Sequence, residues 1–163
     1  MKVYLDTEFN SVGGELISLA LVARGRYFYA VLPLPEVVDP WVAEHVLPKL
    51  IVANPGLFET KAHLALAIKQ WLDQLDDGYG IELIADCADD FAHFFSLFRF
   101  GTYQHVTGAR NDLCPYSMHT SLVDSGDLDE HRDAFHAHNA YYDALALMRW
   151  DAKRKRGPGG LSS

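Results

Sequence analysis

The sequence predicts an α/β domain, a mixed β-sheet whose first three strands run antiparallel, flanked by α-helices. Three observations carry this. Residues 1–32 hold three apolar runs joined by turns too short for anything but an antiparallel return. Residues 60–75 carry a clear helical period. A short apolar run at 81–85 sits between helical segments, the interleaving that lays helices on the faces of a sheet.

The first strand spans about 2–8, with Val3, Tyr4 and Leu5 as its buried run. A Gly13-Gly14 turn leads to a second strand over 15–24, and an Arg-Gly-Arg turn to a third over 27–32. Asp39-Pro40 marks a helix start, Asp as cap and Pro at the first helical position, and that segment should stop near Pro48. From Thr60, Leu64, Ile68, Trp71, Leu72 and Leu75 recur at helical spacing, so the helix over 60–75 turns one face to a core. The run 81–85 reads as a strand, and from Asp90 Phe91, Phe94, Phe95 and Phe98 form a stripe that reads as core rather than as a base-stacking platform. Residues 101–132 lack a sustained period, which predicts irregular structure with a strand and a short helix around 116–123. A last helix is expected over 140–153.

With 163 residues, 49% hydrophobic and 22% charged, the expected organisation is a single domain over 1–152 and a basic, Gly-rich tail over 153–163. No apolar stretch nears the roughly 20 residues of a membrane span, and no export signal is visible, so the expected setting is cytoplasmic with no membrane partner. Cys87 and Cys114 are too few for a disulfide framework and are expected as reduced, buried or half-buried thiols. A net charge of -8 argues against coating long nucleic acid through a broad basic face, because that affinity comes from neutralising many phosphates. It leaves room for an enzyme that grips a short end. Trp41, Trp71 and Trp150 read as core or interface residues, Trp150 with the option of a partner chain.

The most informative motif is Leu5-Asp6-Thr7-Glu8-Phe9-Asn10. Residues two apart on a strand share a face, so Asp6 and Glu8 converge while Thr7 turns away. Two like charges held together suit a hard divalent cation such as magnesium. Two more places supply acids at element ends. One is Ala85-Asp86-Cys87-Ala88-Asp89-Asp90-Phe91, where helix capping is the competing role. The other is His138-Asn139-Ala140-Tyr141-Tyr142-Asp143. Inside one helix His138 and Asp143 would lie about 140° apart at roughly 100° per residue. With Asn139 as cap, His138 falls in the preceding loop and folds back toward the groove Asp143 faces. Histidine titrates near pH 6.5 when unperturbed, which suits a general base at neutral pH. A zinc cluster of His131, His136 and His138 matches no familiar ligand spacing, and His45, His63, His93, His105 and His119 read as surface or satisfied interior groups.

Together these motifs resemble the DEDDh branch of 3'-to-5' exonucleases, a superfamily with a ribonuclease-H-like fold. The match lies in Asp-Thr-Glu-Phe on the first strand, an Asp at the start of a central helix, and His-x4-Asp at the last helix. The tyrosine branch would place Tyr at 139, where this chain has Asn. The Glu15-Leu16-Ile17-Ser18-Leu19 and Tyr-Phe-Tyr-Ala strands and the segment from Trp41 to Pro48 are similar to the mycobacterial RNase AS branch, whose substrates are adenylate-rich RNA. The second motif departs from the usual Asn-x-x-Phe-Asp: Asp86 stands in the Asn place, Asp89 in that of the aromatic, and Asp90 in that of the ligand.

The resemblance implies that Asp6, Glu8, Asp90 and Asp143 hold two Mg2+ ions, with Mn2+ able to substitute, and that His138 takes the proton of the attacking water. Asp86 and Asp89 stay open as alternatives to Asp90, Asp86 also as an outer ligand. Phe9 and Asp86 are candidate substrate-binding residues. The implied activity is removal of nucleoside 5'-monophosphates from single-stranded RNA 3' ends, by a homodimer. Two rivals remain: a metal-dependent hydrolase of DNA ends or short oligonucleotides, favoured by the lack of a basic groove within 1–150, and a non-catalytic nucleic-acid-binding scaffold.

Overall fold

In a computed structural model the described residues are 1–75, 80–100, 118–124 and 136–154, with side chains 99 and 100 excluded. The predicted tail from 155 onward, Cys114, His105 and His131 lie outside them. A six-stranded sheet has the order β4-β3-β2-β1-β5-β6. Strands β1 (Lys2–Phe9), β2 (Leu16–Ala23) and β3 (Arg26–Val31) form the antiparallel meander, while β4 (Gly56–Leu57), β5 (Ile81–Ala85) and β6 (Met118–Leu122) join in parallel. Helices are α1 (Pro40–His45), α2 (Lys61–Asp73), α3 (Ala88–Phe100) and α4 (Ala140–Arg154). This mixed sheet with flanking helices is consistent with the ribonuclease-H-like fold. No described helix is long and apolar enough to cross a membrane.

The pleat sorts β1 into two cores. Val3 and Leu5 face α2 and α3, packed with Leu64, Ile68, Leu72, Phe94 and Leu97. Tyr4 faces α4, packed with Ala20, Val22, Ala144, Leu147 and Trp150. The phenylalanine stripe is therefore core: Phe94 is fully buried, and Phe91, Phe95 and Phe98 pack against the same cluster. Trp150 is buried beneath α4, so it fills the core instead of reaching for a partner chain.

Local chemistry explains the boundaries. Asp39 Oδ1 accepts from the Trp41 amide at 2.8 Å and caps α1, which ends at His45 before a 3-10 turn over Leu47–Lys49. Thr60 caps α2 by accepting from the His63 amide. At the β1–β2 turn a Cβ on Gly14 would lie 1.6 Å from the Asn10 carbonyl oxygen, so only glycine closes it. Three expectations need correction. Helix α3 begins at Ala88 rather than Asp90, and the segment around 118–122 is an edge strand paired with β5, with no helix there. Cys87 is exposed, not buried, because it sits in the turn that opens α3.

Candidate active site

The carboxyl end of β1 opens into a cleft of about 460 Å³, whose walls come from β1, α1, the β5–α3 turn and the start of α4. Asp6 and Glu8 reach it from one face of the strand, opposite Ala20 and Ser18 of β2. Alternation turns Thr7 to the other face, as predicted, and there it acquires a task. Its amide and hydroxyl both donate to Asp90 Oδ1, at 3.0 and 2.7 Å, tying the first turn of α3 to β1.

Asp143 enters from the first turn of α4 and is buried. Asn139, fully buried, caps that helix by accepting from the Tyr141 and Tyr142 amides. Its amide donates to Lys49 O and Tyr29 Oη, at 2.7 and 3.1 Å, which pins the turn against the 3-10 segment and β3. His138 precedes the cap with φ +65°, the left-handed conformation that sends the chain back, and its amide donates to Asp143 Oδ2 at 3.0 Å. Its ring lines the cleft, edge-on to Trp41 at 4.9 Å.

Two carboxylate groups meet here. Asp6, Glu8 and Asp143 each bring one oxygen within 4.8 Å of the others, and Asp6, Asp86 and Asp90 do the same. Asp6 belongs to both. Burial pushes the Asp6 carboxyl well above the usual carboxylate range, and the charges of Asp90, Asp143, Glu8 and Asp86 push it further. Asp90 is pushed up to about 7, chiefly by burial and also by Asp86, against the opposing pull of the Thr7 hydrogen bonds. Crowded carboxylates of this kind fit hard divalent cations, which prefer oxygen ligands and relieve the repulsion. Asp89 is exposed and lines no part of the cleft, so the geometry gathers Asp86 and Asp90 and leaves Asp89 outside.

Phe9 lines the cleft as expected, backed by His93, whose ring stacks on it at 4.7 Å. Trp41 is the wall residue that sequence reasoning assigned elsewhere. It is 49% exposed and stacked on His45 at 4.7 Å, and with Val42 and Val46 it makes the apolar side of the cleft. Asn10 holds that wall in place by donating to Val37 O and accepting from the Asp39 amide, both at 2.7 Å. The signal for Trp41 was the brevity of α1: only Val42 of that helix is buried, which leaves the neighbouring Trp to the cleft.

Fold and donor set together define an α/β domain with a carboxylate cleft suited to hard divalent cations. No protein-family model matches the chain. Two proteins of Mycobacterium tuberculosis, each named 3'-5' exoribonuclease, are 39% identical to it over 90 residues, 52% of this chain and 53% of theirs. The matched segment thus spans about half the length of these curated relatives.

Proposed function

We propose that this domain is a 3'-to-5' exoribonuclease of the DEDDh kind, similar to the RNase AS branch. The observation that carries it is the position of Asp6 in two carboxylate groups at the floor of a cleft that His138 also lines. The likeness to proteins named 3'-5' exoribonuclease supports the same reading.

Asp6, Glu8, Asp143, Asp86 and Asp90 would hold two Mg2+ or Mn2+ ions. Such ions supply Lewis-acid polarisation of the phosphate, an acidified water and stabilisation of a leaving oxygen. The chain's own part is positioning and proton transfer. His138 takes the proton of the attacking water, and the bond from its amide to Asp143 fixes the turn that carries it. Phe9 and the exposed ring of Trp41 would flank the terminal nucleoside, while Thr7 keeps Asp90 aimed at the floor. The product is a nucleoside 5'-monophosphate, with adenylate the preferred base. By the same resemblance the working unit is a cytoplasmic homodimer, which sedimentation and fractionation test.

The experiment is incubation of 5'-labelled RNA, matched DNA and a dinucleotide with Mg2+, with and without chelator. A ladder shortening stepwise on RNA, abolished by chelator, supports the proposal. Cleavage of the dinucleotide alone points to a small-phosphodiester hydrolase. No cleavage of any substrate leaves a binding scaffold. Oligoadenylate against oligouridylate reads the base preference.

A further inference from the structure

The sequence carries no basic groove, but the fold gathers cations that the sequence scatters. Lys2 opens β1, Arg24 and Arg26 flank the β2–β3 turn, and Arg149, Lys153 and Arg154 lie in the second half of α4. These are six of the 14 Lys and Arg, brought to the end of the sheet opposite Asp6 and Glu8. Lys2, Arg24 and Arg149 line a cavity of about 670 Å³ with Tyr4, Met148 and Asp151. Asp151 is the one carboxylate in that lining, and its Oδ2 already accepts from Lys2 Nζ at 2.9 Å and Tyr4 Oη at 2.6 Å. Arg24 and Arg149 are exposed and form no ion pair among the described residues. In a chain of net charge -8 this is a cationic pole.

A row of rings lies between the pole and the cleft. Tyr27 follows Arg26, is 51% exposed and packs on Tyr141 at 4.7 Å; Tyr141 meets Tyr142 at 5.0 Å, and Tyr142 meets His136 at 4.0 Å. The row ends one residue from Asp143 and two from His138.

We infer that this pole binds the phosphodiester chain of a single-stranded nucleic acid upstream of the end held in the cleft. The inference rests on the exonuclease reading above and names where that substrate's body lies. Unpaired guanidinium groups beside aromatic rings are the pairing by which proteins hold single strands without reading sequence, phosphates on the cations and bases on the rings. Reach is adequate, since Arg149 follows Asp143 by six residues, about 9 Å along a helix. The acidic cleft repels the strand without its cations, so the pole is the surface on which a strand can dwell while its end is cut.

The test is the double variant Arg24→Gln/Arg149→Gln, both positions exposed and outside the cleft. In chelator, anisotropy of a labelled oligoadenylate of about 12 nucleotides, within the usual site sizes, should read a Kd weakened about tenfold and a salt slope smaller by about 2, one per lost phosphate contact. With Mg2+, KM for that oligomer should rise about tenfold at unchanged kcat, with dinucleotide hydrolysis unchanged. Unchanged Kd and salt slope overturn the inference. So does an equal loss on the dinucleotide, or a free mononucleotide that binds the pole as tightly as the chain. If the wild-type protein hydrolyses nothing, the exonuclease reading fails, and the anisotropy measurement still decides the pole.

Discussion

The two carboxylate groups share Asp6 but are built differently. The Asp6–Glu8–Asp143 group sits between a strand end and a helix whose cap is locked by Asn139, and its third member is backed by the His138 turn. The Asp6–Asp86–Asp90 group sits on the other side, where a β-strand threonine grips Asp90 and Asp86 stands half-exposed in a turn. One side carries a group able to move a proton; the other carries only carboxylates. The difference separates roles: the first side positions chemistry, the second holds charge.

The largest expected effect follows from breaking both sides at once. Asp6→Asn removes the shared oxygen donor, and hydrolysis should fall by about 10³-fold or more, the scale of several kcal/mol of lost charge stabilisation. The same change removes a buried carboxyl that its neighbours repel, so the Tm of the metal-free protein should rise. A variant that loses both activity and stability would mean that Asp6 serves the fold instead.

His138→Ala breaks the first side alone. Turnover should drop by about 10² to 10⁴, the usual general-base contribution, with Mn2+ affinity unchanged. Near-normal turnover would remove His138 from the mechanism. Thr7→Val breaks the second side while keeping the side chain's shape. It removes a hydrogen bond to a charged group, worth about 1.5–3 kcal/mol, so a loss of activity of about tenfold or more is expected, with Thr7→Ser close to wild type.

The mildest perturbation is pH. Asp90, at about 7 in the folded chain against an unperturbed 3.8, binds its proton more tightly when folded, and Asp6 shifts in the same direction. Stability from this source is fully present below about pH 4 and is lost as pH rises toward and through 7. Metal-free protein should therefore melt several degrees lower at pH 8 than at pH 5.5, and Mn2+ should restore the difference at pH 8. A Tm independent of pH and metal would place the carboxylates apart.

Much of the site was legible because it rests on short-range rules. Period-two alternation put Asp6 and Glu8 on one face, and the capping preference of Asn139 put His138 in the loop beside Asp143. The start of α3 was harder to read. A turn ending in three candidate acids gives no sign of which faces in, and the fold settles it by a contact between Thr7 and Asp90, 83 positions apart. Trp41 was assigned to core or interface for the same reason: its exposure depends on Asn10 fixing the approach to α1, a link across 29 positions. The strand order and the parallel pairing of β5 and β6 likewise follow from long-range packing rather than from any local pattern.

The central claim is that one carboxylate serves two cation sites, and a Mn2+ titration by calorimetry tests it most directly. Wild-type protein should take up two ions per chain, Glu8→Gln should weaken one of them, and Asp6→Asn should abolish both. Retention of one full-affinity ion in Asp6→Asn would contradict the shared-ligand account.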